Sequence, residues 1–137
     1  LMQDLTRETI QDSYPDIPVI RPQRAAEHLF AIARQHDFTL YEFYQTDVSG
    51  HSMDYVRACE VLRTYDAFLT PLVEYLEAAG ITLVMTSDHG NVESVNMRGH
   101  TRNPVPFIVY GPNERFLLDK VTSLIDITPA LLEAFDK

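Results

Sequence analysis

Residues 81–111, ITLVMTSDHGNVESVNMRGHTRNPVPFIVYG, hold two short apolar runs, 81–87 and 105–111, on either side of an irregular stretch. Each run reads as a strand because it is brief, rich in Val, Ile, Thr and aromatic residues, and free of a helical stripe. The first ends at Asp88. The stretch between them, DHGNVESVNMRGHTRNP at 88–104, is some seventeen residues long, and a connection of that length inside a compact domain is usually functional. Chemistry is expected there.

Upstream, TLYEFYQT at 39–46 is dense in aromatic residues and threonine, which predicts another strand, buried on much of both faces and ending at Asp47. Between this segment and residue 81, Val56, Cys59, Leu62, Leu69, Leu72, Val73 and Leu76 keep a helical spacing. Ser52 is the expected N-cap and Gly80 the stop, with Pro71 expected to kink or restart the helix. From Arg21 to about His36, Ala26, Leu29, Phe30 and Ala33 fall at i, i+3, i+4 and i+7 behind Pro22, the pattern of an amphipathic helix. At the C-terminal end, Asp126 or Thr128 offers a cap, Pro129 a first-turn position, and ALLEAF at 130–135 a short final helix.

This alternation predicts the α/β class: one domain over residues 1–137, a mainly parallel sheet flanked by helices, with a right-handed crossover from 39 to 86. Ligands of such sheets collect beyond the carboxyl ends of the strands. Asp47 and Asp88 stand at those ends and are expected to open into one crevice.

Composition narrows the functions. The 137 residues are 45% hydrophobic and 23% charged, the balance of a soluble globular domain. A formal charge of −9 disfavours nucleic acid as a partner. No apolar run approaches the roughly 20 residues of a membrane span. The single Cys59 cannot form an internal disulfide, which suits a reducing compartment, and cytoplasm is the expected location. Leu1 is not an initiator methionine, so the chain is expected to be a piece of a longer protein.

Three of the five histidines lie beside the strand-end aspartates or in the long loop. In Asp47-Val48-Ser49-Gly50-His51 a carboxylate and an imidazole stand four apart. Gly50 and the preceding β-like run predict a turn rather than a helix, and a turn can fold both side chains toward one cation. Asp88-His89-Gly90 places an oxygen and a nitrogen ligand side by side, with a glycine that permits a sharp turn. His100 follows in the same loop. His28 and His36 belong to the first helix and read as solvated, and Cys59 reads as a core helix residue. Two Asp and three His suit Zn²⁺ or Mn²⁺ and exclude a thiolate-rich structural zinc site. Five ligands are too many for one tetrahedral ion and slightly few for two, which suggests a two-metal centre with ligands missing from this chain.

These residues resemble the alkaline phosphatase superfamily of metalloenzymes, nearest to the cofactor-independent phosphoglycerate mutases and the phosphopentomutases. The matching strings are TDVSGHSMD at 46–54, TSDHGNVE at 86–93, GHTRNPVPFIVYGP at 99–112 and SLIDITPALLEAF at 123–135. Asn91, Glu93 and the run Asn103-Pro104-Val105-Pro106 look nearest to the phosphoglycerate mutases. The resemblance implies an alkaline phosphatase-like fold, incomplete at its N-terminal side. It makes Asp47, His51 and His100 ligands of one divalent ion and Asp88 and His89 ligands of its neighbour. The ions would be Mn²⁺ or Zn²⁺.

In that family an upstream aspartate and a Ser or Thr nucleophile complete the second ion, and neither has a match here. The resemblance therefore implies the C-terminal part of a larger phosphoryl-transfer domain, with no catalytic nucleophile in this chain and the missing N-terminal part of the same protein as its partner. It implies a small phosphorylated substrate, a phosphate monoester, and a two-metal clamp on the attacking and leaving oxygens. A mutase, as an isomerase, returns the phosphoryl group to another hydroxyl; a hydrolase, as a phosphatase, releases it. Arg98 and Arg102 are candidate phosphate contacts. Alternatives are a catalytically silent metal-binding α/β domain and a phosphodiesterase or sulfatase of the same superfamily. By itself the 137-residue chain is expected to be inactive.

Overall fold

The computed structural model describes residues 2–136. The elements run α1 (Pro22–Ala33), α2 (Gln45–Ser52), α3 (Tyr55–Ala79), β1 (Leu83–Thr86), β2 (Phe107–Tyr110), α4 (Glu114–Lys120) and α5 (Leu124–Phe135). Short 3-10 turns lie at Glu8–Ile10 and Val92–Ser94.

The two periodic segments form helices. Helix α1 begins with Pro22, where a missing N–H costs nothing, and buries Ala25 and Ala26. These small side chains let it pack closely on α3, around a core of Leu5, Phe68, Leu72 and Leu76. His36 lies past the end of α1 rather than on it. Asp54, not Ser52, caps α3, its carboxylate accepting the Arg57 N–H at 3.0 Å. The helix continues through Pro71 instead of restarting. Phe68 on one side of the proline and Leu72 and Leu76 on the other share the same core, which holds both halves on α1. Cys59 lies on α3 and is half-buried.

The strand expected at 39–46 does not form. Residues 39–44 pair with no strand among the described residues, and Gln45 already begins α2. Their alternation is nevertheless real. Tyr41 and Phe43 turn inward, Tyr41 against Phe68 at 5.8 Å between ring centroids and Phe43 stacked on Tyr65 at 4.7 Å. Leu40 is 84% exposed. The segment is thus covered on one face only, not on both.

The expected parallel sheet is also absent among the described residues, where β1 and β2 form a two-stranded antiparallel sheet. The pairs run from Leu83↔Tyr110 to Thr86↔Phe107. With no strand at 39–46 the crossover has nothing to join, and β2 returns beside β1 in the opposite sense. Because Thr86 faces Phe107, the long loop leaves and re-enters at one end of the sheet. Val109 packs with Leu117 of α4 and Ala130 of α5 in a second small core.

Helix α4 had no counterpart in the sequence reading. Helix α5 is capped by Ser123 in a capping box with Asp126, so Asp126 sits inside the first turn and Pro129 lies within the helix. No helix among the described residues is long and apolar enough to cross a membrane.

Candidate metal centre

Asp47 and His51 both lie on α2, which corrects the expectation of a turn. On a helix, residues four apart share a face. Asp47 is in the first turn and His51 in the last, so the two are held at one helical spacing rather than by a flexible loop. His51 Nε2 is 3.4 Å from Asp47 Oδ1.

His100 comes from the long loop to complete a triangle. Its Nε2 is 3.4 Å from Asp47 Oδ1 and 3.2 Å from His51 Nε2. Ligand atoms about 2.0–2.1 Å from a tetrahedral ion stand roughly 3.3–3.4 Å from one another. The three atoms therefore have the mutual spacing that one cation imposes. The donor set, one carboxylate oxygen and two imidazole nitrogens, suits a borderline divalent ion.

His89 flanks this trio. Its ring stacks on that of His100, with centroids 3.6 Å apart, and its Nε2 lies 4.0 Å from Asp47 Oδ1. Asp47, His89 and His100 each bring a ligand atom within 4.8 Å of the others. His89 Nδ1 is buried without a hydrogen-bond partner, a polar atom left unsatisfied inside the cluster. Asp88 Oδ2 is 3.5 Å from His89 Nε2, yet the Asp88 side chain is 85% exposed. It joins the cluster only through His89. Arg98 and Arg102 are exposed and make no hydrogen bond or ion pair among the described residues; the structure does not bring them onto the cluster.

Two residues that the sequence reading passed over as ligands or supports organise these side chains. Asn91 is buried, and its Nδ2 donates to Asp47 Oδ1 at 2.6 Å and to the Asp47 carbonyl at 3.4 Å. Helix α2 admits Asn91 only because residue 50 is glycine: a Cβ there would lie 1.7 Å from Asn91 Oδ1. Gly50 thus serves a close approach inside a helix. Glu93 accepts hydrogen bonds from the Thr101 hydroxyl, Asn103 Nδ2 and the Asn91 N–H. These bonds, that of Thr101 foremost, hold its carboxyl below the usual carboxylate range. Gly90, expected to supply a sharp turn, instead pairs with Thr101 as an antiparallel bridge. The signal for all four was adjacency to a ligand, since Gly50 precedes His51 and Gly90, Asn91 and Glu93 follow His89.

A cleft of about 400 Å³ opens beside Asp88 and His89, lined also by Thr101, Asn103, Phe107 and Ser123. The start of α5 borders it. The polar groups just before it are already engaged, because Asp126 Oδ2 accepts the N–H and hydroxyl groups of both Thr122 and Ser123. A second anion there would meet a carboxylate.

The sequence pattern of the Metalloenzyme superfamily matches residues 21–136, a span that includes all five candidate ligands. The chain belongs to the Metalloenzyme superfamily. Membership implies an α/β protein of alkaline phosphatase-like fold that binds divalent metal. Curated relatives named 2,3-bisphosphoglycerate-independent phosphoglycerate mutase include that of Mycoplasma genitalium, 29% identical over 127 residues, which takes in 88% of this chain and 25% of the relative. The Gloeobacter violaceus protein is 31% identical over 147 residues, 93% of this chain and 27% of the relative. That of Haloquadratum walsbyi is 32% identical over 105 residues, 71% of this chain and 21% of the relative. The chain thus spans about a quarter of the length of these superfamily relatives. No solved structure matches.

Proposed function

We propose that the chain supplies the larger part of a two-metal centre for phosphoryl transfer on a small phosphate monoester, in the manner of a phosphoglycerate mutase. Asp47, His51 and His100 hold one ion, Mn²⁺ or Zn²⁺. Asp88 and His89 begin the second, whose other ligands, together with the nucleophile, come from a part of the protein outside these 137 residues. The observation that carries this reading is the triangle of Asp47 Oδ1, His51 Nε2 and His100 Nε2, with sides of 3.2–3.4 Å. The mutase relatives support the phosphoryl-transfer assignment and the isomerase outcome.

Bound divalent cations would stabilise charge on the oxygens of a transferring phosphoryl group. The chain's own residues do the holding. The imidazoles at 51, 89 and 100 would offer ring nitrogens to an ion, and Asn91 fixes the Asp47 carboxylate that would share it. Bound cations would offset part of the chain's −9 formal charge where an anionic substrate approaches. Arg98 and Arg102, exposed in the long loop, are free to meet the phosphate as charge-assisted donors. Nucleic acid and membrane have no place in this reading, and the unpaired Cys59 suits the cytoplasm.

The test uses the protein at its natural length. Mn²⁺ or Zn²⁺ is titrated into the metal-free form by calorimetry, and conversion of 3-phosphoglycerate to 2-phosphoglycerate is followed by phosphorus NMR. Cation-dependent turnover is expected, with first-ion affinity in His51→Ala falling by more than about tenfold. Equal affinity in both proteins would remove His51 from the site. Turnover that survives complete metal removal would sink the assignment.

A further inference from the structure

Glu93 has no hydrogen bond or ion pair with a candidate ligand among the described residues, yet its two oxygens gather three residues of the loop between β1 and β2. Oε2 accepts the Asn91 N–H at 2.6 Å. Oε1 accepts Asn103 Nδ2 at 3.0 Å and, in a short bond, the Thr101 hydroxyl. Two of the three donors adjoin something the centre needs. Thr101 follows His100 directly, and Asn91 lies two residues beyond His89 and itself holds Asp47.

The surroundings are built around this carboxylate. The Thr101 N–H donates to the Gly90 carbonyl at 2.7 Å, tying the two arms of the loop together. A Cβ at Gly90 would come within 2.6 Å of Glu93 Oε1 and 2.1 Å of Thr101 Oγ1, so only glycine leaves room for the arrangement. Without such ties, each ion-binding event would have to order the loop first, and a site ordered beforehand binds more tightly. An ionised acceptor shared by three donors is a strong tie.

We propose that Glu93 is a positioning residue of the metal centre: its carboxylate closes the loop into the form that presents His89 and His100 to Asp47, and so sets metal affinity without touching the ion. This rests on the metal-centre reading above.

The experiment measures Zn²⁺ and Mn²⁺ affinity of the natural-length protein and its Glu93→Gln variant. Melting of the metal-free forms and the visible spectrum of the Co²⁺-loaded forms are recorded alongside. Gln offers one acceptor oxygen where Glu offers two, so at least one donor is released. Affinity is expected to fall about 10–100-fold, with a changed Co²⁺ spectrum and a metal-free protein that melts only slightly lower and still cooperatively. Affinity within about twofold of the parent, against a 10–100-fold expectation, overturns the role of Glu93 and leaves the metal centre standing. A parent protein that binds no divalent cation overturns both. Should Glu93→Gln fail to fold, Thr101→Val and Thr101→Ser decide: the valine variant is expected to bind several-fold more weakly and the serine variant to restore affinity. Parent-like affinity in Thr101→Val overturns the proposal.

Discussion

Asp47 precedes a histidine by four residues and Asp88 by one, but the fold treats them differently. Asp47 is 39% exposed, receives Asn91 Nδ2 at 2.6 Å and stands within 4.0 Å of three imidazoles. Asp88 is 85% exposed and reaches one imidazole, its own neighbour, at 3.5 Å. The difference lies in what holds each residue. Asp47 sits on a helix whose spacing aligns it with His51 and whose Gly50 admits Asn91. Asp88 leaves the end of β1 into a loop, and nothing among the described residues grips its carboxylate except His89. A similar Asp and His signal thus yields a closed side-chain cluster in one place and an open one in the other.

The sharpest way to break this contrast is to neutralise each aspartate in turn. Asp47→Asn is expected to weaken the first bound ion by more than about 100-fold, since it removes the charged ligand itself and not merely an outer partner. Asp88→Asn should weaken that same ion by less than about tenfold. Calorimetric titration checks both, and equal losses would erase the distinction.

A second test addresses why Asp47 is held. Alanine is intrinsically better than glycine in a helix by about 0.5–1 kcal/mol, so propensity alone predicts that Gly50→Ala stabilises α2. Sterics predict the opposite. The added Cβ would lie 1.7 Å from Asn91 Oδ1 and 3.2 Å from the Val92 nitrogen, in a buried contact. Overpacking of this kind costs about 1–3 kcal/mol. The steric effect should win, lowering stability by roughly 0.5–2 kcal/mol in urea denaturation. A gain in stability would show that α2 and the loop are not in contact at this point.

The smallest effect concerns the cleft on the Asp88 side. Hydrogen bonds from the Ser123 and Thr122 side chains hold the Asp126 carboxyl below the usual carboxylate range. A carboxyl with a depressed folded-state pKa adds stability that is complete above its unfolded value, about 4, and is lost as pH falls through the folded value. Asp126→Asn should therefore melt slightly lower than the parent near pH 7, with the gap closing in acid. A gap that persists unchanged at low pH would assign the effect to shape rather than charge.

Helices α1 and α3 were legible because their apolar spacing, and the stop at Gly80, are local features that a few residues carry, whereas the end of α1 at Ala33 was not. The choice of the five candidate ligands rests on a similar kind of feature: residue chemistry is written in the chain. Segment 39–44 shows where that ends. Its inward Tyr41 and Phe43 and outward Leu40 alternate as a strand does, but a strand exists only with a partner, and pairing is not a local property. The sense of β2 relative to β1 was hidden likewise, because a long connection permits either direction and only packing selects one.

By itself, then, the sequence determined helices α1 and α3, the final helix and the superfamily, all of which depend on residue type and short-range spacing. Tertiary structure alone decided that Asp47 and His51 share a helical face, that His100 closes on them at 3.2–3.4 Å, and that Gly50 and Gly90 are spaces kept for Asn91, Glu93 and Thr101. The contacts of His100 and Asn91 with α2 join residues some forty to fifty positions apart, where no spacing rule reaches and the side chains meet only after the loop has folded back on α2.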